Sequence, residues 1–526
     1  MIKVRQVKVS VINKSEESIK DALIKKLRIN ESDLIDYYIR KESIDARDKE
    51  YIYYSYEIDC DLKNEDIVLK RINKDVEKTI YKKYSFTPVG DKKLNNRPVI
   101  VGMGPCGLFA AYTLLEHGIK PIIIEQGESI ENRVKTVEEF WKSNKLNTRS
   151  NVSFGEGGAG TFSDGKLNTL IKDNSRIEKV FDTFIKCGAP EEIRYLNKPH
   201  IGTDLLRKVI INMRNEMIEM GLDIRYNTKL TDLIIEDDHI KGIIVNDSER
   251  IDTDVLVLAI GHSSRDTFYL LNDKKLNMES KPFAVGFRVM HSQDMINNSQ
   301  YGSFSKYLPN ASYKLTYNTK DGRGVYSFCM CPGGYVVNAS SEENRLCING
   351  MSNHDRNSKT ANSAIVVTIS SKDYGEDLFD GVKFQRELEE NSFNIGNGLI
   401  PVQLYKDFKD DKMSDYFMDV IPEFKGSYSF SNLNQIVPSY ISSSIKEGME
   451  YFGTKINGFN SDSTVLAGVE SRTSSPIRII RDEMFESNIK GIYPAGEGAG
   501  YAGGITTAAV DGIKVSEAIL NIYKGD

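Results

Sequence analysis

The sequence predicts an α/β protein with a dinucleotide-binding domain built from distant segments, an inserted β-rich α+β domain and a small N-terminal α+β domain. Three observations lead to this class. Short apolar strands alternate with helices from residue 97 onward, and this rhythm stops between about 276 and 460. The chain contains 40 glycines, and some of them form three clusters, at 102–107, 155–165 and 496–504. Glycine clusters so far apart predict loops that meet around one ligand. We therefore expect domains at 1–90, 97–275, 276–460 and 461–526, with the second and fourth forming one unit.

Composition excludes several classes of protein. The 526 residues hold 69 Lys plus Arg against 75 Asp plus Glu, a formal charge of −6, which disfavours a strongly basic nucleic-acid binder. The apolar run Val255–Ile260 is far shorter than the roughly 20 residues of a membrane helix. The first residues lack the apolar stretch of a signal peptide. Six cysteines in so long a chain make no disulfide framework, so we expect cytoplasmic residence.

Residues 1–90 predict a separate unit. Strands are expected at 4–11, 36–40 and 51–62, and helices at 18–27 and 67–80. The order strand–helix–strand–strand–helix is typical of a ferredoxin-like layer. Five cations of this unit could form a basic patch, namely Lys8, Lys20, Lys25, Lys26 and Arg28.

The strongest local pattern begins at residue 99. The apolar strand 99–101 leads into Gly102-Met103-Gly104-Pro105-Cys106-Gly107, a helix follows, and a second strand at 121–124 ends in Glu125. This order is the βαβ fingerprint of dinucleotide binding: a strand, a glycine-rich turn, a helix, a second strand and an acidic residue at its end. The helix N-terminus would stabilise a pyrophosphate, and Glu125, 21 residues after Gly104, could accept from ribose hydroxyls.

The other two glycine clusters predict further walls of the same site. Residues 155–165 are small enough for backbone to pass close to a flat ligand. Residues 491–504 lead from a strand into a helix that starts at Ile505, and a helix N-terminus stabilises negative charge on a ligand in front of it.

Taken together, these segments resemble the glutathione-reductase-like FAD superfamily. They are similar, more closely, to the bacterial family of FAD-dependent dehydrogenases (NAD(FAD)-utilising dehydrogenase-like) with an N-terminal ferredoxin-like domain. The stretches that carry the resemblance are GEGGAGTFSDGKL at 155–167, FCMCPGG at 328–334, GEGAGYAGG at 496–504 and SIDAR at 43–47.

The resemblance implies FAD as cofactor and an inserted sheet that contacts the substrate. It implies FAD contacts at Gly102, Gly104, Gly107, Glu125, Arg133, Gly157, Gly158, Gly160, Gly496, Glu497 and Ile505. It implies no catalytic residue.

One fingerprint is present, and no second strand–GxGxxG–helix unit follows it. NAD(P)H is therefore expected, if it acts at all, as an external donor without its own domain. A Cys-x4-Cys pair beside the first helix is also absent, which disfavours a disulfide-reductase mechanism. Hydride transfer through flavin N5, in either direction, is the favoured chemistry.

Four residues are candidates for catalysis: His262, Arg265, Cys329 and Cys331. The alternatives are a backbone-bonded loop histidine at 262 and buried packing thiols at 329 and 331. Asp164 and Lys166 could orient a ligand or pair with each other. Arg288 and His291 lie on a predicted strand, with His291 expected at the surface. No grouping of His, Cys, Asp or Glu has metal-ligand spacing.

Three functions stay open from sequence. The first is an FAD-dependent oxidoreductase that acts on an unidentified small molecule. The second is an RNA-associated or RNA-modifying flavoprotein that uses the N-terminal unit for nucleic acid, against which the net acidity argues. The third is a flavin-bound scaffold without turnover. The residues assign no oligomeric state.

Overall fold

The structure, a computed structural model, describes residues 1–72 and 74–525. It confirms the predicted α/β class, with a five-stranded parallel sheet, a seven-stranded sheet and a four-stranded N-terminal sheet. Among these residues, no helix combines the length and the apolar character that crossing a bilayer requires.

The N-terminal unit is one antiparallel sheet with two helices. Its elements are β1 (Ile2–Ser10), α1 (Glu16–Leu27), β2 (Leu34–Asp45), β3 (Tyr53–Leu62), α2 (Glu65–Arg71) and β4 (Val76–Lys78). The strand order β2-β3-β1-β4 with antiparallel neighbours is that of a ferredoxin-like unit. Ser15 caps α1, which buries Ile19, Leu23 and Leu27 on one face.

The predicted helix at 67–80 is wrong in its second half. Helix α2 ends at Arg71 and the chain turns into β4. Val76 is buried and pairs with Val4 at the free edge of β1, so ladder formation at this edge overrides the helical pattern. Asn73, within the predicted range, lies outside the described residues.

Three cations of the predicted basic patch are paired with carboxylates. Lys8 Nζ lies 2.9 Å from Asp45, Lys26 Nζ lies 3.1 Å from Asp75, and Lys20 pairs with Glu31. Paired lysines offer less charge to a phosphate backbone, so nothing in this arrangement favours the nucleic-acid alternative.

The dinucleotide-binding unit begins at residue 99. Its first part comprises β5 (Val99–Val101), α3 (Pro105–Glu116), β6 (Ile122–Ile124), α4 (Ile130–Ser143), α5 (Asn174–Lys186), α6 (Thr203–Glu219), β7 (Asp223–Arg225), β8 (Leu230–Glu236), β9 (His239–Val245), β10 (Glu249–Asp252), β11 (Leu256–Leu258) and α7 (Arg265–Asp273).

The inserted unit carries the largest sheet. Its elements are β12 (Met278–Ser280), β13 (Phe283–Ser292), α8 (Gln293–Tyr301), β14 (Thr316–Asn318), β15 (Gly324–Cys331), β16 (Tyr335–Asn338), β17 (Ile348–Met351), β18 (Thr360–Ile369), α9 (Ser371–Tyr374), α10 (Asp380–Ile395), β19 (Ile400–Leu404), α11 (Tyr405–Lys409), β20 (Phe424–Lys425), β21 (Tyr428–Phe430), α12 (Ser439–Gly453) and β22 (Val465–Glu470). Seven of these strands pair in the order β14-β15-β18-β13-β22-β19-β21, all antiparallel except β19 with β21.

The predicted boundary at 460 differs from the structure. Strand β22 follows it, yet pairs with both β13 and β19 and so belongs to the inserted sheet. The pairing partners lie far away in sequence, which is why an apolar hexamer near the boundary could be assigned to either unit.

The chain then returns to the dinucleotide-binding unit through β23 (Ile477–Ile479), β24 (Ile492–Pro494) and α13 (Ile505–Leu520). The parallel sheet has the order β24-β11-β5-β6-β7. Its two faces follow the strand period of two: Ile100, Ile123 and Val257 pack toward α3, α6 and α13, while their neighbours pack toward β8, β9 and α7. The carboxyl ends of β5, β11 and β24 meet at one edge, where an open α/β sheet binds ligands.

Candidate functional site

The first wall of the site is the turn between β5 and α3. Gly102 has φ +98°, and a Cβ there would lie 2.4 Å from Ala259 O. A Cβ on Gly107 would lie 2.0 Å from Gly102 O, so this glycine lets the helix pack on the turn. Gly104 differs, because its nearest neighbour would be Gly158 Cα at 3.8 Å. The space in front of Gly104 is therefore open to a ligand.

Glu125 joins three parts of the backbone around this turn. Its Oε2 accepts from Met103 N at 2.9 Å, and its Oε1 accepts from Gly127 N at 2.9 Å and Gly155 N at 3.0 Å. The carboxylate is 5% exposed and lines the cleft. It thus fixes the spacing of the first two glycine segments, and Oε2 keeps acceptor capacity for a ribose hydroxyl.

The second wall is the loop that leads into a short 3₁₀ helix, Gly158–Phe162. Gly157 N donates to Met103 O at 2.8 Å, which ties this loop to the first turn. Gly158 and Gly160 line the cleft. Gly157 lies behind them, where a Cβ would lie 2.2 Å from Thr161 Oγ1.

Arg133 is fully buried behind the second loop instead of lining the cleft. Its guanidinium donates to the carbonyls of Asn151, Val152, Glu156 and Gly158 at 2.6 to 3.0 Å. With its donors satisfied by backbone, Arg133 shapes the loop from behind.

The third wall is the segment between β24 and α13. Gly496 N donates to Asp511 Oδ2 at 2.7 Å, and a Cβ on Gly496 would lie 3.0 Å from Cys106 Sγ, so Gly496 packs this segment on α3. Glu497 and Ile505 line the cleft. Gly504 has φ +93°, and a Cβ there would meet no atom within 4 Å. The N-terminus of α13, a helix of 16 residues, therefore faces open space.

The inserted sheet supplies the opposite wall, and sequence analysis missed most of it. Besides Phe328 and Cys329, the lining includes Asn349, Glu470, Arg472 and Thr473. Glu470 is the last residue of β22, and Arg472 and Thr473 follow it. The available signal was two charged residues, Glu470 and Arg472, at the end of an apolar strand, and the predicted boundary at 460 hid it.

His262 and Arg265 follow β11 and separate in the structure. His262 lines the cleft, with Nδ1 at 3.7 Å from Glu497 Oε1. Arg265 is 1% exposed and points away, with both terminal nitrogens donating to Glu389 at 2.8 and 2.9 Å. Arg472 Nε and Nη2 donate to the same carboxylate at 2.9 and 2.8 Å. Arg265 is thus part of a buried ion network that joins α7 to α10.

Asp164 and Lys166 pair with each other at 2.8 Å and both line the cleft. Arg356 adds two bonds to Asp164, at 2.6 and 3.0 Å. Burial raises the pKa of Asp164, but Lys166 and Arg356 outweigh it and hold that pKa below its ordinary value. The carboxylate is therefore ionised and keeps Lys166 in the cleft wall.

Cys329 is half-buried and lines the cleft, while Cys331 is fully buried behind it, both as free thiols. Arg288 is fully buried and donates to Glu470 through Nε at 2.8 Å and Nη2 at 3.2 Å. The surface position expected for His291 is wrong: it is 1% exposed, and its Nε2 lies 2.8 Å from Phe459 O.

Of the fifteen cofactor-binding and catalytic candidates, nine line one cleft, as Asp164 and Lys166 also do: Gly102, Gly104, Glu125, Gly158, Gly160, His262, Cys329, Glu497 and Ile505. Six others support it from behind or lie outside it: Gly107, Arg133, Gly157, Arg265, Cys331 and Gly496. Within the residues that the structure describes, no cluster of His, Cys, Asp or Glu could hold a metal ion.

Comparisons with known sequences agree with this architecture. A family profile described as "FAD-dependent protein, C-terminal domain-like" matches residues 282–473, and a domain of unknown function matches residues 1–61. An uncharacterised protein of Clostridium beijerinckii is 46% identical over 509 residues, which is 95% of each chain. The 282–473 match ends beyond β22, as the pairing of that strand requires.

Solved structures show a more distant likeness. CtdE in complex with FAD is 13% identical, over 81% of this chain and 84% of that one, with a TM-score of 0.32. Glycine oxidase from Bacillus cereus is 12% identical, over 81% and 95%, with a TM-score of 0.32. L-proline dehydrogenase from P. horikoshii is 15% identical, over 81% and 94%, also at 0.32.

Proposed function

We propose that this chain, which belongs to the same family as the Clostridium beijerinckii protein and carries the C-terminal domain of FAD-dependent proteins, is an FAD-dependent oxidoreductase that acts on a small molecule. FAD is its cofactor. The substrate would lie between the dinucleotide-binding unit and the inserted sheet.

The observation that carries the proposal is the convergence of three glycine segments on one cleft. Backbone at Gly104 and Gly504 borders space that no side chain fills, and Gly158 lines the same cleft. Glu125 stands at the end of β6, where ribose hydroxyls of an ADP group would be accepted. These residues fit an extended dinucleotide: α3 would face its pyrophosphate, and α13 would face its isoalloxazine end.

Bound FAD would supply two-electron transfer, and the residues of this chain would do the rest. The N-terminus of α13 favours negative charge in front of it, so it would stabilise the reduced state of the cofactor. Glu125 and the first turn would hold the ADP end fixed. The ion pair with Asp164 would hold the Lys166 ammonium in the cleft wall, with its charge balanced by the carboxylate.

The opposite wall would orient the substrate. Arg472 lines the cleft, and its guanidinium is held in one position by Glu389 on α10 and by the hydroxyls of Ser263 and Ser341. Glu470 is held in the same way by Arg288. Side chains locked by ion pairs position a bound molecule without the entropy cost of ordering them during turnover.

An external donor would have to use the open cleft. Residues 276–460, as far as the structure describes the chain, form antiparallel and short mixed sheets, with no second parallel dinucleotide-binding sheet. If NADH or NADPH reduces the flavin, it would bind directly in front of the isoalloxazine.

The test combines cofactor identity with reduction. Flavin released by heat from the purified protein should co-migrate with FAD in chromatography and not with FMN. The holoprotein, kept anaerobic, is then mixed with NADH, NADPH and a panel of amines, amino acids and hydroxy acids, and the flavin absorbance near its long-wavelength band is followed. Bleaching by one compound class would identify the donor; FMN or a colourless protein would contradict the proposal.

A further inference from the structure

The two cysteines of the cleft wall lie at an irregularity of strand β15. Phe328 pairs with Ala364 and Cys331 with Asn362, so Cys329 and Met330 both lie opposite Ser363. This is a β-bulge, and Cys329 has φ +46° within it. On a regular strand the Cα atoms of residues i and i+2 would lie about 6.6 Å apart, near the limit for a disulfide. The bulge supplies the bend that bringing the two thiols together requires.

The same bulge places the thiols among cations. Lys166 Nζ lies 3.7 Å from Cys331 Sγ. Arg288 Nη1 donates to Cys329 O at 3.3 Å, and Cys331 Sγ donates to that same oxygen at 3.3 Å. Cys329 lines the cleft, and Cys331 lies outside the lining with 0% exposure.

Two ion pairs border the thiols. Lys166 and Arg288 contact the cysteine segment, and each is paired with a carboxylate, Asp164 and Glu470 respectively. Burial raises the pKa of Glu470, and a proton there would leave the charge of Arg288 without its counter-charge. A thiolate would supply the missing negative charge.

The ionisation of the thiols follows the same geometry. A hydrogen bond from Cys331, together with Lys166 and Arg288, holds the pKa of Cys329 well below its ordinary value against the effect of burial. The same hydrogen bond and burial raise the pKa of Cys331. Because Cys329 lines the cleft and Cys331 is buried behind it, Cys329 is the sulfur that an oxidant can reach, and Cys331 keeps its proton.

We propose that Cys329 and Cys331 form a redox-active thiol pair in the cleft wall, in which Cys329 reacts with small hydroperoxides and Cys331 resolves the product. A small oxidant is required because Cys331 is buried and Cys329 is only partly exposed. The pair needs no flavin for this reaction, so it stands apart from the proposed oxidoreductase activity.

The chemistry balances in two steps. The Cys329 thiolate attacks one peroxide oxygen, the O–O bond breaks, and the leaving oxygen takes a proton from solvent as water or alcohol, which leaves a sulfenic acid. The Cys331 sulfur then attacks the Cys329 sulfur, and the hydroxyl leaves as water with the Cys331 proton. Two thiols lose two electrons, the peroxide gains them, and one S–S bond forms.

The experiment exposes reduced holoprotein to stoichiometric hydrogen peroxide at pH 7. It then alkylates all remaining thiols in denaturant and measures peptide masses. The peptide with Cys329 and Cys331 should escape alkylation and carry an internal disulfide. The other four cysteines, Cys60, Cys106, Cys187 and Cys347, should be alkylated, and they serve as internal controls.

Variants separate the roles. Cys331→Ser should leave a sulfenic acid on Cys329 that dimedone traps. Lys166→Met should slow the oxidation of Cys329 at pH 7 by about tenfold, because an ordinary thiol is only a few per cent ionised at that pH. Cys347→Ser is the matched control: that thiol is 2% exposed, burial raises its pKa to about 12, and its loss should change nothing.

A second measurement does not depend on variant folding. The alkylation rate of Cys329 by iodoacetamide in the unmodified protein should reach its plateau at a pH well below the midpoint of an ordinary thiol. Equal oxidation of all six cysteines, no dimedone adduct in Cys331→Ser, or an alkylation midpoint near the ordinary value of about 8.5 would each overturn the proposal.

Discussion

Gly104 and Gly158 face each other across the floor of the cleft, and a Cβ placed on Gly104 would lie 3.8 Å from Gly158 Cα. This is ordinary van der Waals contact, and Gly104 has a negative φ of −79°. The protein itself therefore leaves room for a side chain at Gly104, and the space in front of this residue is open to a ligand.

For this reason Gly104→Val should fold but bind no FAD. The valine methyl groups would project into the space where a pyrophosphate approaches the start of α3. We expect an unchanged circular dichroism spectrum and less than about a tenth of the normal flavin content by absorbance, as a steric clash in a packed site costs more than 1.4 kcal/mol, a factor of ten in affinity.

Gly107→Ala is the contrasting variant. Its Cβ would lie 2.0 Å from Gly102 O, so it should destabilise the fold itself. If Gly104→Val retained its flavin, the assignment of this turn to the cofactor would be refuted.

Glu125→Gln should weaken cofactor binding through the backbone. The carboxylate accepts three N–H bonds with two oxygens, while a carboxamide has one oxygen and would turn its NH₂ toward at least one N–H donor. A buried unsatisfied donor costs about 1–3 kcal/mol, so both the melting temperature and the flavin content should fall.

Glu128→Gln is the matched control for this change. Glu128 lies in the same segment, and its carboxylate accepts one hydroxyl, from Thr136 at 2.6 Å, which an amide oxygen can also do. Its flavin content should match that of the unmodified protein. Equal losses in both variants would mean that general disturbance of the segment, and not the Glu125 bonds, explains the result.

Arg265→Met should lower stability without removing the cofactor. It would take away two bonds to the fully buried Glu389, which keeps only Arg472 as a charged partner among the bonds described. Breaking a buried ion pair costs about 3 kcal/mol, visible as an earlier transition in urea.

The exposed Arg250 provides the comparison. It pairs with Asp252 at 2.7 Å, and both side chains are more than half exposed. Because exposed ion pairs contribute little, Arg250→Met should change the free energy of unfolding by less than about 0.5 kcal/mol. Loss of flavin in Arg265→Met at unchanged stability would instead indicate that Arg265 contributes to cofactor binding.

The position of Arg265, buried away from the cleft, shows which features a sequence can predict and which it cannot. The βαβ unit from β5 to Glu125 is local, so strand, turn, helix and acid can be placed from consecutive residues. The partner of Arg265 is Glu389, 124 residues downstream on another unit. No local pattern distinguishes an arginine that faces a ligand from one that meets such a partner.

The cleft wall from the inserted sheet follows the same rule. Cys329 could be proposed from the FCMCPGG stretch, but its bulge depends on the register between β15 and β18. Glu470 and Arg472 became visible only once β22 was seen to pair with β13 and β19. Non-local strand pairing, and not propensity, decides which polar residues reach the cleft.

His291, which the sequence analysis expects at the surface, lies on β13, and both faces of that strand are buried. Its burial predicts a specific response to acid. Burial lowers the pKa of His291 in the folded state to about 4, while in the unfolded chain it is about 6.5. The neutral imidazole is bonded to Phe459 O, and charging it inside the core is unfavourable.

The direction of the effect of pH on stability follows from the difference in pKa between the folded and unfolded states. Because the folded pKa is the lower one, the unfolded chain binds the proton first as pH falls, so the contribution of neutral His291 is present above about 6.5 and is lost progressively between about 6.5 and 4. At pH 5 the loss should be about 2 kcal/mol. Urea unfolding at pH 7.5 and pH 5 should therefore show a smaller drop in His291→Asn than in the unmodified protein, while His239→Asn, at an exposed position on β9, should leave the drop unchanged. Identical drops in all three proteins would mean that other groups account for the acid sensitivity and that the core tolerates a charged His291.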